Sequence, residues 1–548
     1  MSLGRLISDL HALRADFAPS ADARRMALLA RLARARPRRA RDVEAAHDEL
    51  LFLAAFPPSR TIWRRTVELL DAFASWNSAL GPRARQALDD TGIAGSATTG
   101  ALPWSCAQWL RAREQEVTLL IDDDATAARL EPLARAAITP AEEDHFDAGA
   151  WGAREYLLKR SAGHPFRWLI PADGPKDRAR AAAFEASGVP LSWSLGASPW
   201  SATRNRVPTS TPVLRRSFRR LPVDVVQHIA TPLRGIRRLH ASEAAVWMAA
   251  SMAALAARAR EVTPTMDPNP DEIYLADLGH GATLCVLGTH RERRCALEAN
   301  YGYVMFSNGV PIGYGGVTPL ANQANTGANL FPAFRGSEAA FLFAQSLRAF
   351  RTLFGVSRFI VNPYQFGADN DEALASGAFW FYDRLGFRSV RPALRALASR
   401  ERDRLRHARG SRSPRAVLRR LATADLVLEL ESSPVALFPE DHLVTLGQRV
   451  ALRLARESAA TGPAAATGRT RNGGAAAREG TRLLGPLLLL IDHDIRRWSR
   501  RERDALTAIV RAKGGRRERA FVALARQHPR LWRALDAAAR AKPTSPRR

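Results

Sequence analysis

The sequence predicts an α/β (α+β) fold, with a central mixed sheet, helices on both faces, and mainly helical N- and C-terminal flanks. Three observations carry that expectation. Tyr301–Ser307 and Val310–Thr318 are β-rich runs on either side of Asn308-Gly309. Asn-Gly in that position signals a hairpin, because a type I′ turn needs positive φ at two successive residues. Beyond it, the apolar helical faces of Ala339–Phe354 and Asp371–Leu385 bracket a short β-rich stretch, Arg358–Asn362. Strands that lead into alternating helix and strand build a layered unit. Outside this core, apolar residues recur at helical spacing, as Leu3, Leu6, Ile7, Leu10 and Leu13 do.

Taken in order, residues 1–100 read as helices. The apolar run Glu49–Phe56 is stopped by Pro57-Pro58, Trp63–Trp76 is amphipathic, and a Gly/Ser/Thr loop covers Gly92–Gly100. Residues 101–270 are mixed and of unassigned role: Val117–Ile121 is β-rich, 151–222 is irregular and rich in Trp, Pro and Ser, and Ala241–Arg260 is a helix ended by Pro264. From 271 to 395 the chain turns β-rich and Gly-rich, with a short strand at Ala328–Phe331 and a helix end at Gly386. A basic helical and β extension follows at 396–457. A low-complexity Ala/Gly/Thr run at 458–480 reads as a flexible linker, and 481–548 as a basic helical end.

The chain has 548 residues and a formal charge of +27, with 81 Lys+Arg against 54 Asp+Glu. Only four of the basic residues are lysines, a ratio that in an Ala-rich chain fits GC-rich coding. The charge is also uneven: residues 388–422 carry net +10 and 496–548 net +13, whereas 271–390 carry net −1. An acidic partner or RNA would therefore meet the C-terminal third, where Trp498, Phe521 and Trp532 lie among arginines and could stack on bases. The composition argues against wholesale disorder. The longest apolar stretch, Leu483–Ile491, is interrupted by Gly485-Pro486 and is too short to span a bilayer, so no membrane partner is expected. The N-terminus carries charges through its apolar positions, unlike a signal peptide. Cys106, Cys285 and Cys295 are few and lack ligand spacing, which favours a reducing, cytoplasmic setting and no metal.

The hairpin ending Pro311-Ile312-Gly313-Tyr314-Gly315-Gly316-Val317, the segment 328–347 and the segment 376–387 together resemble the GNAT family of acyl-CoA N-acyltransferases, over about a fifth of the chain. The resemblance implies that backbone at Ala328, Asn329, Leu330 and Phe331 holds the pantetheine arm of acetyl-CoA or another acyl-CoA. It implies that Arg335, Gly336, Ser337, Ala339 and Ala340 hold the pyrophosphate at the start of a helix, where unpaired N–H groups and the helix dipole favour anions. The family pattern Arg/Gln-x-x-Gly-x-Gly/Ala is met at Arg335 and Ala340, but Glu338 stands at its central glycine. Tyr382-Asp383-Arg384-Leu385-Gly386-Phe387 matches the family ending Tyr-x-x-Leu-Gly-Phe, which implies that Tyr382 protonates the departing thiolate. Its alternative role is core packing with Phe379, Trp380, Phe381 and Phe387.

Amine acylation also needs a proton acceptor. Candidates are Glu298, Glu338, and Asp369 or Asp371, although Glu338 also suits a helix first turn and Asp369–Glu372 suit a helix cap. The expected function is acyl transfer from acyl-CoA to a small-molecule or peptide amine. The alternatives are a degenerate scaffold that binds a metabolite or protein without turnover, and an aminoacyl-tRNA-dependent transferase that docks RNA on its basic C-terminus. Asp122-Asp123-Asp124, Glu142 with Thr139-Pro140, and Asp492-His493-Asp494 read as helix caps or isolated acids, not metal sites.

Overall fold

The computed structural model describes residues 2–147, 152–172, 177–260, 262–336, 338–408, 410–432, 436–461 and 474–541. Its centre is a ten-stranded mixed sheet: β1 (Ile236–Arg238), β2 (Pro268–Gly279), β3 (Ala282–Thr289), β4 (Tyr301–Ser307), β5 (Val310–Leu320), β6 (Gln323–Thr326), β7 (Asn329–Leu330), β8 (Arg358–Val361), β9 (Arg388–Ser389) and β10 (Leu426–Glu429). The order across the sheet is β9-β10-β8-β6-β5-β4-β3-β2-β1, with β7 also on β5. Strands β1 to β6 pair antiparallel, and β6 and β8 pair parallel. Strand β10 inserts antiparallel between β8 and β9. The sheet therefore overruns the 271–395 interval at both ends, taking in β1 from upstream and β10 from downstream.

The hairpin forms as its sequence predicts. Asn308 and Gly309 have φ of 48° and 77°, and Ser307 pairs with Val310. Along β4 the two faces separate by parity. Tyr301 and Tyr303 stack on Phe354 and Phe350 of the helix Ala339–Phe354. Gly302 faces the opposite side, where a Cβ would collide with Thr265 of the short helix Thr263–Met266. Phe306, of the same parity as Gly302, packs on that side against Trp247 of the helix Ala241–Ala256. Helices thus cover both faces. The glycines of Gly313-Tyr314-Gly315-Gly316 are strand residues; Gly315 gives room to the Tyr303 ring, whose hydroxyl donates to the Gly327 carbonyl.

A smaller antiparallel sheet, in the order Ala97–Gly100, Leu191–Ser194, Val117–Leu119, organises the region before the main sheet. Asp123 caps the helix after it by accepting from the Thr126 N–H at 2.6 Å, and Thr139 with Glu142 forms a capping box.

Four expectations are corrected. Ala97–Gly100, expected within a loop, is a strand, and Trp63–Trp76 is divided between the helices Arg60–Asp71 and Ala74–Ser78. Asp371–Leu385 is two helices, Asp371–Ser376 and Ala378–Arg384, because Gly377 adopts φ 68° between them. Residues 475–480 are not linker: they open the helix Ala475–Leu490, which packs against Arg500–Lys513. Residues 462–473 of the expected linker lie outside the described residues.

The C-terminal helices are joined to the sheet through buried charge. Glu272 on β2 accepts from the Glu518 and Arg519 N–H groups at 2.7 Å each and from the Tyr301 hydroxyl at 2.9 Å. Lys513 bridges to Glu518 and donates to the Glu298 carbonyl at 2.9 Å. Trp498, Phe521 and Trp532 are 3, 2 and 1% exposed, so they are core and not base-stacking platforms. No helix among the described residues is long and apolar enough to cross a membrane.

Candidate functional site

The site begins where β6 and β8 part. Their parallel pairing lasts three residues, Gln323 to Asn325 against Arg358 to Ile360. Pro363 then turns β8 into a short 3₁₀ helix, while the other chain continues as β7 along β5, with Asn329 opposite Tyr314 and Leu330 opposite Gly313. The outer edge of β7 is left facing a cavity of about 720 Å³. Ala328, Asn329 and Leu330 line it from the sheet; Arg335, Gly336, Ala339 and Ala340 from the turn and helix start; and Ala378, Phe381, Tyr382 and Arg384 from the last helix.

Helix Ala339–Phe354 opens without a side-chain cap. The N–H groups of Ala339 and Ala340 have no hydrogen-bond partner among the described residues, which leaves the positive end of the dipole toward the cavity. Arg335 lines the opening, donates to the Leu330 carbonyl at 3.3 Å and bridges to Glu372 at 2.7 Å. Phe331 turns inward, stacked at 5.4 Å on Tyr314, and does not line the cavity. Ser337 lies outside the described residues.

Tyr382 sits at the fork itself. Its ring is 2% exposed among Phe343, Phe366, Phe381 and Phe387, while its hydroxyl accepts from the Ala328 N–H at 3.3 Å. Tyr382 is thus a core ring that carries its hydroxyl to the cavity wall. Burial pushes its pKa up to about 12, the Ala328 hydrogen bond opposing, so the phenol keeps its proton and can donate.

The carboxylates expected as base are elsewhere. Glu338 is 1% exposed and points away from the cavity: it pairs with Arg215 at 3.2 Å and accepts from the Arg219 N–H at 2.9 Å. The side chain at the pattern's missing glycine thus neither crowds nor repels a ligand. Glu298 precedes Ala299, whose N–H bonds the Pro319 carbonyl, whereas β7 meets β5 at Gly313 and Tyr314. Five to six strand residues, about 20 Å, separate them. Burial pushes the Glu298 carboxyl up, Glu440 adding and Lys513 opposing. Asp371 bridges to Arg415 at 2.6 Å, and Asn370 caps the helix after it, accepting from Ala373. Neither Asp369 nor Asp371 lines the cavity.

Sequence reasoning missed Arg219, Arg220 and Gln365, and gave Arg384 no role although it quoted the motif. Among the described residues four arginines, 219, 220, 335 and 384, stand around the cavity against one carboxylate, Glu372. Among 77 arginines, the pair at 219–220 carries no local signal. Long-range contacts bring it here: Glu338 holds Arg215 and the Arg219 N–H, Arg219 meets His280, and Phe218 packs on Phe17, Phe52 and Phe56. The site is basic, lined with backbone at a strand edge, and holds one protonated phenol. It suits a phosphate-bearing ligand with an extended arm. Among the described residues no group of three or more His, Cys, Asp or Glu could hold a metal ion.

No family model matches the chain, and no curated protein or solved structure matches it significantly.

Proposed function

We propose that the protein binds an acyl-CoA in this cavity and transfers the acyl group to an amine, as GNAT enzymes do. One observation carries the reading. The strand edge at Ala328–Leu330, the uncapped helix start at Ala339–Ala340 and the Tyr382 hydroxyl are far apart in sequence, yet they line one cavity with four arginines at it. In this reading the arm of the carrier lies along β7, its pyrophosphate meets the helix start and Arg335, and the amine attacks the thioester carbonyl. As the carbon–sulfur bond breaks, Tyr382 gives its proton to the thiolate. A water molecule or the incoming amine's own solvent contact would take the ammonium proton.

A second reading has its own support. Glu372 is the one carboxylate among the described residues that lines the cavity, and it is bridged to Arg335. A scaffold that binds the carrier without turnover would look the same. Thermal-shift titration with CoA, acetyl-CoA and longer acyl-CoAs tests binding, and Tyr382→Phe separates the two readings. The phenylalanine keeps the ring packing, so stabilisation by acetyl-CoA should persist while transfer to an amine falls on the order of 100-fold or more. No stabilisation by any of these compounds sinks the CoA reading. Stabilisation without wild-type turnover on any amine tested leaves the scaffold.

A further inference from the structure

A second basic cavity lies at the other end of the same helix. It has a volume of about 590 Å³ and lies where the C-terminal turn Thr352–Gly355 meets β1, β2 and the helix Arg519–Arg526. Ala339–Phe354 is 16 residues long, so about 24 Å separates this cavity from the acyl-CoA cavity. Among the described residues five arginines line it, Arg237 and Arg238 from β1 and Arg517, Arg519 and Arg526 from the C-terminal region, and no aspartate or glutamate does.

Two of the five are already engaged. Arg237 is paired in a fork with Glu243, one bond being 2.6 Å, and Arg519 donates to the Leu353 carbonyl at 2.8 Å. The other three have no carboxylate within 4.0 Å among the described residues, whereas the neighbouring Arg516 takes Asp271 at 2.9 Å. Arg526 is held over Gly355, with φ 70° and no Cβ to block the approach, and its Nε is buried without a hydrogen-bond partner. Guanidinium groups gathered in this way repel one another, and a bound anion removes that repulsion.

We propose that this cavity is a binding site for a compact polyphosphorylated ligand, held by Arg238, Arg517 and Arg526. The three reach in from a strand, a turn and a helix. They therefore suit tetrahedral phosphate groups, with oxygens in several directions, better than one planar carboxylate. The volume is that of a small-molecule site. The aromatic rings at its wall, Tyr274 and Phe354, are 4 and 3% exposed, so no face is offered for a base to stack on. That disfavours single-stranded nucleic acid as the occupant.

The test uses inorganic tripolyphosphate with the full chain at about 150 mM salt, where diffuse surface attraction is screened. Because the acyl-CoA cavity is also basic, calorimetry is run on an Arg335→Ser/Arg384→Ser background. Tripolyphosphate should bind that background protein, and adding Arg238→Ser and Arg517→Ser, both at exposed positions, should weaken binding by about tenfold per arginine. Circular dichroism and melting temperature of the quadruple variant should match the background. The proposal is overturned if the background protein does not bind tripolyphosphate, or if binding survives the loss of Arg238 and Arg517. It is equally overturned if sulfate binds as tightly, or if a single-stranded oligonucleotide binds more tightly at the same salt.

Discussion

Glu338 stands where the family pattern has a glycine, and its side chain is used to hold structure. Its carboxylate and the Arg215 guanidinium are both almost fully enclosed, and Arg215 also donates to Ser307 at 3.4 Å and to the His280 carbonyl. Removing one member of a buried pair strands the other charge, so Glu338→Ala should cost about 3–5 kcal/mol in urea unfolding. Glu338→Gln keeps an acceptor for the Arg219 N–H and should cost less. On the proposed acyl-CoA reading, both should leave CoA affinity within about threefold where the protein is folded, since the carboxylate does not face the cavity. A large loss of affinity with unchanged stability would instead place Glu338 in the ligand site. At this scale the sequence was informative about Tyr382, Arg335 and Ala340, which local motifs mark. It was silent on Arg219 and Arg220, which become neighbours of the cavity through long-range contacts, the Glu338 pair and the Phe218 packing among them.

Among the elements, glycines mark the places where local pattern and tertiary contact agree or diverge. Gly386 ends a helix as the sequence predicts, with φ of 95°, and Gly355 ends the helix Ala339–Phe354 in the same way, with φ of 70°. Gly377 interrupts a helical pattern that periodicity alone reads as continuous. Strand β10 could be read as β-rich, but not its place between β8 and β9, because pairing of Leu426–Glu429 with Arg358–Val361 and with Arg388–Ser389, far apart in sequence, leaves no local mark. Gly480 and Gly514 serve a helix crossing: a Cβ on the first would fall onto the Val510 carbonyl, and on the second onto the Ala476 carbonyl. Composition made 475–480 resemble a linker because small residues suit close helix contact as well as flexibility. Gly480→Leu should therefore force the two helices apart and destabilise by about 1–3 kcal/mol, the cost of overpacking. Gly447, in the helix Glu440–Thr461, has nothing within 4 Å of its would-be Cβ. Gly447→Ala should stabilise by up to about 1 kcal/mol through helix propensity alone. Chemical denaturation of the two variants against wild type reads both signs, and equal effects would contradict the crossing.

Across the whole molecule, the N-terminal helices and the middle region close on one another through polar groups that are short of water. His47, on the helix Ala40–Ala55, is 3% exposed and shares a 3.0 Å hydrogen bond with Thr203, whose hydroxyl also accepts from the Ala94 N–H. Burial, with Arg258 adding, lowers its pKa to about 3. Beside it, burial and the charge of Glu44 raise the pKa of Asp48 to about 6, against 3.8 for a free side chain. The two act in opposite directions. Between pH 6.5 and about 3 the unfolded chain binds a proton at His47 that the folded chain refuses, so this term lowers stability as pH falls. Between about 6 and 3.8 the folded chain binds a proton at Asp48 that the unfolded chain has released, so this term raises stability as pH falls. In wild type they nearly cancel over that window. His47→Gln keeps a partner for Thr203 and removes only the histidine term. Relative to wild type, its unfolding free energy should therefore gain about 1.4 kcal/mol for each pH unit between about 6 and 4, and stay level above pH 7. Urea unfolding of both proteins across pH 4–8 measures the difference directly. A difference that does not change with pH would mean that His47 is charged in the folded protein and that the interface is open to water.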